Sequence, residues 1–335
     1  MTEGFFEFVK PGGVDTLIPL SLGGEIQQDG TIATASSWQV VRGSVAPPPD
    51  IDPTGTMTLG LGGGVGTVAL IDASVAALHS EGAYQYWTST ADYDWANICA
   101  HYPSDWQFFI AASPNTLTQA RNMLATFPAT RTGKVRISFG QEKDNDSPYR
   151  TGTYPNYVYR GDLYISDSAP LRQAIAEAIA AGKTYLEPSV SLMPQTIYQP
   201  LVADTFIASD VKHLMVSMYA QAKDKGTGHM VATRDAVKMP KRIGDYAITR
   251  GLDWDAAAWG FFLGNAYLAD PTSIQNRVDW MVTSAREARK NGAHFCGWFN
   301  TPWTVAGAAG DYRVQTDSAL LAAWNGLLAE FGQYP

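Results

Sequence analysis

The sequence has few cysteines and no excess of basic residues. Cys99 and Cys296 are the two cysteines among 335 residues, which excludes a disulfide framework and the paired cysteines of structural zinc sites. Two buried thiols are expected, with a single bridge between them as the alternative. The 24 Lys and Arg are outnumbered by 32 Asp and Glu, giving a formal net charge of -8. No nucleic-acid partner is therefore expected, because affinity for a phosphate backbone depends on basic side chains.

Long apolar runs and a signal-peptide pattern are also missing. The first ten residues, MTEGFFEFVK, carry acidic groups where a signal peptide carries positive charge, and no apolar core segment follows them. No apolar run approaches the roughly 20 residues of a membrane-spanning helix. These absences predict no signal peptide and no membrane partner, and hence a cytoplasmic protein or one released by lysis, for example on a phage particle.

The residues that are abundant fit a globular protein rich in aromatic side chains. Hydrophobic residues make up 45% of the chain and charged residues 17%, which is enough apolar material for a large core. Ten Trp and sixteen Tyr include several that neighbour Asn, Gln, Thr and Pro in expected loops, a combination typical of sugar-binding surfaces. For most of them the plainer interpretation is a core residue with a polar tip.

From about residue 56 onward, short apolar runs alternate with helix-like segments. The eight candidate strands cover residues 56–62, 83–89, 105–113, 134–142, 184–193, 213–221, 256–265 and 294–303. Eight strands separated by helices predict an α/β fold, a (β/α)8 TIM barrel. A doubly wound open sheet with fewer strands is the alternative.

Helix signals and one linker complete the predicted organisation. A helix is expected to start at a Ser168 cap and to end at Gly182, and a second one is expected to stop at Asn291 and Gly292. The turns and the proline-rich linker before residue 56 do not fit the barrel period. They predict a short β-rich N-terminal extension at residues 1–50 and a barrel domain at residues 51–335.

The stretch KVRISFGQEKDND, residues 134–146, combines a buried strand with a cluster of charges. Its two alternating sets are Val135, Ile137 and Phe139 on one side, and Arg136, Ser138, Gly140 and Glu142 on the other. The second set is expected to face the barrel interior, which places Glu142 at the carboxyl end of the fourth strand. Barrel active sites are built at that end. The same reasoning assigns Trp298 and Asn300 of the eighth strand to the interior.

A carboxyl group at such a mouth, ringed by aromatic side chains, has a raised pKa and can protonate a leaving oxygen. Glu142 is the candidate acid, and an ion pair with Lys143, Arg136 or Arg150 is the structural alternative. Glycoside hydrolysis normally needs a second carboxylate. The two candidates for it are Glu187, which shares the interior parity on the adjacent strand, and Asp224, which follows the sixth strand.

Each of these second carboxylates has a competing explanation. Glu187 sits early in its strand, where a buried pair with Arg136 is the plainer interpretation, and Asp224 fits an ordinary loop residue. Four more aspartates lie near the expected mouth and leave the second role unassigned: Asp92, Asp94, Asp144 and Asp146.

Several polar and aromatic residues near strand ends are predicted to bind sugar. The expected platforms are Trp87, Tyr219, Trp298 and Trp303, and the expected hydrogen-bonding groups are Gln85, Gln141, Gln221 and Asn300. The five His show no pair at helical metal-ligand spacing, and LGLGGGVG does not fit a dinucleotide-binding loop. Neither a metal nor a cofactor is expected, although a metal-dependent barrel hydrolase using Asp and His remains an alternative.

At FGQE, VSMYAQ and CGWFNTPW the chain resembles the (β/α)8-barrel glycoside hydrolase superfamily and is distantly similar to family 18 chitinases. The resemblance implies an acid at Glu142, a sixth-strand contact at Tyr219 and a pocket floor at Trp298. The Asp-rich run that precedes the acid in that family is absent, being Arg136, Ser138 and Gly140 here. Attack assisted by the substrate's own acetamido group is therefore not implied.

A second large group of barrel glycosidases carries Asn-Glu after the fourth strand and a Glu nucleophile after the seventh. Gln141 and Glu142 resemble the first feature, whereas FFLGNAYLAD, at 261–270, contains no Glu for the second. The resemblance therefore assigns the superfamily without a single family.

Together these features predict a glycoside hydrolase that cleaves a polysaccharide or oligosaccharide by carboxylate acid/base catalysis at the barrel mouth. The alternative is a non-catalytic carbohydrate-binding or virion structural protein on a barrel scaffold. The sequence gives no signal for an oligomeric state.

Overall fold

A computed structural model of the chain describes residues 6–10, 14–18, 39–40, 57–62, 82–86, 101–153, 156–300, 302–303 and 310–333. The chain divides into two compact units, residues 1–50 and 51–335. In the first unit, β1 (Phe6–Lys10) pairs antiparallel with β2 (Val14–Ile18) and with β3 (Gln39–Val40). The described strands of this unit thus form a small antiparallel sheet.

The second unit contains twelve described strands. They are β4 (Thr58–Gly62), β5 (Gly82–Tyr86), β6 (Gln107–Ala112), β7 (Val135–Phe139), β8 (Arg150–Thr151), β9 (Val158–Tyr159), β10 (Leu186–Leu192), β11 (His213–Ala220), β12 (Asp253–Phe261), β13 (Ala293–Phe299), β14 (Pro302–Trp303) and β15 (Gly310–Asp311). Eight of them close into a parallel barrel in the order β4-β5-β6-β7-β10-β11-β12-β13. The predicted (β/α)8 barrel is confirmed, and each expected segment overlaps one of these strands.

Seven described α-helices accompany the strands. They are α1 (Leu117–Ala125), α2 (Gly161–Ala180), α3 (Pro194–Ile197), α4 (Pro200–Asp204), α5 (Lys238–Thr249), α6 (Pro271–Lys290) and α7 (Ser318–Glu330). Aspartates start the last two helices, because Asp270 and Asp317 each accept hydrogen bonds from backbone N–H groups of the first turn. Among the described residues, no helix is long and apolar enough to cross a membrane.

The start of α2 differs from the sequence prediction. The helix begins at Gly161, upstream of Ser168, and the Ser168 hydroxyl donates to the Ile165 carbonyl inside the helix instead of capping its end. Tyr164 explains the extra turns, since its buried ring makes edge contacts with Phe139 at 5.9 Å. Tertiary packing on the barrel wall therefore extends the helix beyond its local capping signal.

Alternate side chains along the strands point to opposite sides of the sheet and belong to two different cores. Outward-facing Val135, Ile137, Leu214 and Val216 join the main core between the sheet and the helices. The inward-facing side chains form a smaller cluster, here called the interior apolar layer: Phe109, Met215, Ala257, Ala258 and Phe295. Phe109 and Phe295 stack with ring centroids 4.4 Å apart. The barrel is thus filled at mid-height by side chains, as is usual for this fold.

The eighth strand, β13, has the opposite parity to the one predicted. Trp298 is fully buried in the main core, where its ring meets Trp259 edge-on at 4.8 Å and its Nε1 donates to the Tyr312 carbonyl at 3.0 Å. Its predicted role as a sugar platform is therefore wrong. Both alternating sets of this strand consist mainly of apolar residues, with Phe295 and Phe299 facing inward. The alternation therefore does not show which face of the strand lies in the barrel interior.

Beneath the interior apolar layer, the amino-terminal ends of the strands hold a group of charged and polar side chains, here called the basal ion cluster. Its members are Gln107, Arg136, Glu187, His213 and Asp255. The Arg136 guanidinium lies 3.1 Å from Asp255 Oδ2 and 3.1 Å from Glu187 Oε2, and His213 Nε2 lies 2.7 Å from Asp255 Oδ2. Because each charge has an opposite partner, the cluster closes the base of the barrel without leaving the buried carboxylate unpaired.

Candidate active site

Glu142 lies where the chain leaves β7 at the carboxyl end of the barrel. Gly140 has a φ of 70° and Glu142 has a φ of 50°, so two residues in left-handed conformation turn the chain within three positions. The positive φ at residue 140 explains the glycine, because residues with a Cβ rarely adopt it. The left-handed conformation of a glutamate costs about 1 kcal/mol, and such strain is concentrated at functional sites.

The side chain and backbone of Glu142 are held from three neighbouring strands. Gln141 Nε2 donates to Glu142 Oε1 at 3.1 Å and lies 3.5 Å from the Ser217 hydroxyl at the β11 end. The Glu142 N–H points to the Ser191 hydroxyl of β10 at 3.4 Å. These contacts hold the Glu142 turn at the mouth and engage Gln141, predicted to bind sugar, in a hydrogen bond to the acid.

Burial raises the pKa of Glu142 above its ordinary value. Hydrogen bonds from Ser217 and Gln141 oppose this rise, the nearby charge of Asp146 adds to it, and the charge of Arg234 opposes it. The net effect favours the neutral carboxyl, which is the form that donates a proton.

The ion pairs offered as a structural alternative for Glu142 do not form. Lys143 lies 3.6 Å from Asp146, Arg136 belongs to the basal ion cluster, and the Arg150 guanidinium stacks over the Tyr157 ring at 4.3 Å. All three cations are thus engaged with other groups, and Glu142 remains a half-buried acid at the mouth.

Four aromatic side chains, here called the aromatic wall, line the mouth beside this acid: Tyr219, Phe262, Phe299 and Tyr312. Tyr219 stacks on Phe262 at 4.7 Å and meets Phe299 edge-on at 5.9 Å, and Phe262 lies 4.7 Å from Tyr312. Burial and then the charge of Glu142 raise the pKa of Tyr219 well above its ordinary value, so its hydroxyl keeps its proton. Sequence reasoning found Tyr219 alone among these four.

Asp144 is a second carboxyl group with a raised pKa in the same turn. Burial, together with the charge of Glu142, brings its pKa to about 7 despite hydrogen bonds from Thr196 and from the Met193 N–H, the latter at 2.9 Å. These bonds attach the turn to the start of α3. Because Asp144 is almost fully buried, it positions the Glu142 turn rather than meeting a ligand.

The two predicted second carboxylates lie elsewhere. Glu187 is at the base, 2.8 Å from Lys134 and 3.1 Å from Arg136, and these cations lower its pKa although partial burial raises it. Asp224 accepts from the Gly226 N–H at 2.8 Å and from the Thr227 hydroxyl at 2.9 Å. It closes its own loop, and these bonds lower its pKa. Neither residue makes a described contact with Glu142.

The residues predicted to bind sugar lie in different environments in the structure. Gln221 is exposed just after β11. Asn300 is buried, and its Oδ1 accepts from the Val314 N–H at 2.7 Å, which ties the strand end to the segment before α7. Trp87, Asp92 and Asp94 lie outside the described residues. Gln85 and Trp303 belong to β5 and β14, and their side chains are likewise outside the description.

Arg234 enters the site from the loop after β11, and no sequence motif marks it. Its Nη2 donates to Gln195 Oε1 at 3.0 Å. Gln195 lies two residues after Met193, whose N–H binds Asp144 in the Glu142 turn, so the guanidinium is attached to the same part of the mouth as the acid. Its positive charge lowers the pKa of Glu142. Within the part of the chain that is described, no three His, Cys, Asp or Glu side chains cluster as metal ligands.

Comparisons with known proteins show the fold of the chain. No family model and no curated protein matches its sequence. A family 5 xyloglucanase from Paenibacillus pabuli superposes with a TM-score of 0.54 at 10% identity, over 83% of this chain and 99% of that chain.

Two further solved structures give similar values. An exo-β-1,4-mannosidase from Opitutaceae bacterium strain TAV5 gives 0.53 at 9% identity, over 84% of this chain and 62% of that chain. A Cellulomonas fimi endo-β-1,4-mannanase double mutant gives 0.50 at 10% identity, over 80% and 70%. The expected resemblance to barrel glycoside hydrolases is confirmed for the fold, which this chain shares with them.

Proposed function

We propose that the protein is a glycoside hydrolase that cleaves a glycosidic bond in a polysaccharide or oligosaccharide, with Glu142 as the general acid. The observation that carries the proposal is a carboxyl group with a raised pKa at the carboxyl end of a barrel strand, beside the aromatic wall. Tyr219 and Phe262 are partly exposed members of this wall and supply aromatic surface of the kind on which sugar rings pack. The barrel fold shared with several glycosidases is consistent with this chemistry, although a fold alone does not define an activity.

In the proposed step, the neutral Glu142 donates its proton to the bridging oxygen of the substrate. The bond between that oxygen and the anomeric carbon breaks, and its electron pair goes to the departing sugar. Water supplies the new hydroxyl on the anomeric carbon, and its other proton returns Glu142 to the neutral form. Gln141 and Ser217 hydrogen-bond the carboxyl group and stabilise the carboxylate that remains. The proposal assigns the acid and leaves Glu187 and Asp224 without a catalytic role.

The direct test is release of new reducing ends from a panel of mannan, xyloglucan, β-glucan, chitin and uronate-containing polysaccharides. The wild-type chain is expected to release them from at least one polymer, and Glu142→Gln is expected to release almost none. The non-catalytic alternative is favoured by one observation, the engagement of Glu187 and Asp224 away from Glu142. Binding to a polymer without any product would establish that alternative and overturn the proposal.

A charge-removing variant checks the electrostatics of the acid. Asp146→Asn removes a negative charge that raises the pKa of Glu142, so Glu142 should lose its proton at lower pH. The alkaline limb of the kcat profile is therefore expected to move to lower pH. Asp210→Asn removes an exposed carboxylate that pairs with Arg172, and its profile should match the wild type. An unmoved limb in Asp146→Asn would show that another group controls that limb.

A further inference from the structure

The protein uses only part of the hydrogen-bonding capacity of the Arg234 guanidinium, which lies at the same mouth as Glu142. Its Nη2 donates to Gln195, whereas its Nη1 is buried and has no hydrogen-bond partner. A buried donor without a partner destabilises the folded state, so such groups call for an explanation. Here the explanation lies in the place of the guanidinium, at the mouth and next to the proposed acid.

The charge of Arg234 also lacks a matching anion among the described residues. Glu142 acts on it through its charge, but the hydrogen bonds of Glu142 go to Gln141 and Ser217. The neutral form of Glu142, which the proposed reaction needs, would leave the cation uncompensated. The mouth therefore pairs a neutral acid with a half-buried cation whose Nη1 makes no hydrogen bond within the described protein.

We infer that Arg234 binds the anionic group of an acidic sugar residue placed next to the scissile bond, so that the preferred substrates are acidic polysaccharides. This inference rests on the proposed function. A guanidinium presents its N–H groups as a planar fork that matches the oxygens of a carboxylate, and it binds such groups more strongly than neutral hydroxyls. Gln195 holds the fork in place through Nη2, and Nη1 makes no hydrogen bond with the described protein groups.

The test compares a polyuronate with the same polymer after its carboxyl groups have been reduced to alcohols. The wild type is expected to show a kcat/KM about 100-fold higher on the acidic form, the scale of one desolvated charge pair. Arg234→Met should lose about that factor on the acidic polymer and change little on the reduced one. Arg234→Lys, which keeps the charge without the fork, should fall between them. A sulfated polymer with the same dependence on Arg234 would support the inference, with sulfate as the anion.

The matched control is Arg242→Met, which removes another cation of the region, one that stacks over the Tyr198 ring at 4.8 Å. It should retain the preference for the acidic polymer. Equal cleavage of both polymers by the wild type, or equal losses on both in Arg234→Met, would overturn the inference and leave the proposed function standing. If the wild type cleaves nothing, the proposed function fails, and calorimetry of oligouronate binding decides the inference. Binding that Arg234→Met abolishes would support it, and no binding would refute it.

Discussion

Replacing Glu142 with Gln is expected to lower kcat about 1000-fold, within the range usual for a general acid. Gln has nearly the same shape and retains an acceptor for the Gln141 amide, but it carries no proton to give to a leaving oxygen. The measurement is the rate of reducing-end release from whichever polymer the wild type cleaves. Activity close to wild type would remove Glu142 from the mechanism.

Thermal unfolding of the same variant separates loss of chemistry from loss of fold. The pKa of Glu142 is raised in the folded state, so its contribution to stability is present below the ordinary pKa of 4.5 and is lost as pH rises through the raised value. Glutamine does not ionise, and the variant should therefore melt at the same temperature as wild type in acid and at an equal or higher temperature at pH 8. Glu177→Gln changes an exposed glutamate paired with Arg121 and should retain full activity.

The largest loss of stability is expected from Asp255→Ala at the base of the barrel. Asp255 is fully buried and accepts from Arg136, from His213 and from the His294 N–H at 2.9 Å. Its removal leaves the Arg136 charge partly unpaired in the interior, and breaking a buried pair in this way costs about 3–5 kcal/mol. Denaturant unfolding at pH 7 measures the change in the free energy of unfolding.

An exposed pair provides the control for this variant. Glu330→Ala breaks the contact between Arg286 and Glu330 on the surface and should cost less than about 1 kcal/mol. Burial by itself raises the pKa of Asp255, but the charges of Arg136 and His213 outweigh it and hold the pKa below the usual range. The stabilisation by Asp255 is thus present above pH 3.8 and is lost as pH falls further, so the deficit of Asp255→Ala should shrink in strong acid. A loss at pH 7 no larger than that of Glu330→Ala would contradict the assigned role of the cluster.

Much of the barrel was predictable because its signals are local. Apolar runs bounded by turns mark all eight strands, and in β7 and β11 the bulky apolar set and the polar or small set fall on opposite parities, which fixes the interior face. Glu142 stands out for the same reason, as a carboxylate on the interior parity at a strand end. The competing explanation of Glu187 as a partner of Arg136 was equally readable from register, since the two residues lie side by side on β10 and β7.

The rest depends on contacts between segments that are distant in sequence. Trp298 was misassigned because Phe295, Cys296, Trp298 and Phe299 put apolar residues on both parities of β13, and packing against Trp259 and Tyr312 decides which set faces the helices. Arg234 lies in a loop without a motif, and its place beside Glu142 follows from the path of that loop. Ser168 shows the reverse case, in which a valid local capping signal yields to the burial of Tyr164.

The interior apolar layer has a consequence for engineering this protein. Phe109 borders the charges below, with Arg136 5.3 Å from its ring centroid, while Tyr219 packs on the layer from above. The side chains of this layer neither titrate nor relay protons, so no proton path runs through them between the two ends of the barrel. Heat resistance can then be selected at the base without moving the pH optimum set at the rim, and substrate range can be redesigned at the rim without weakening the base.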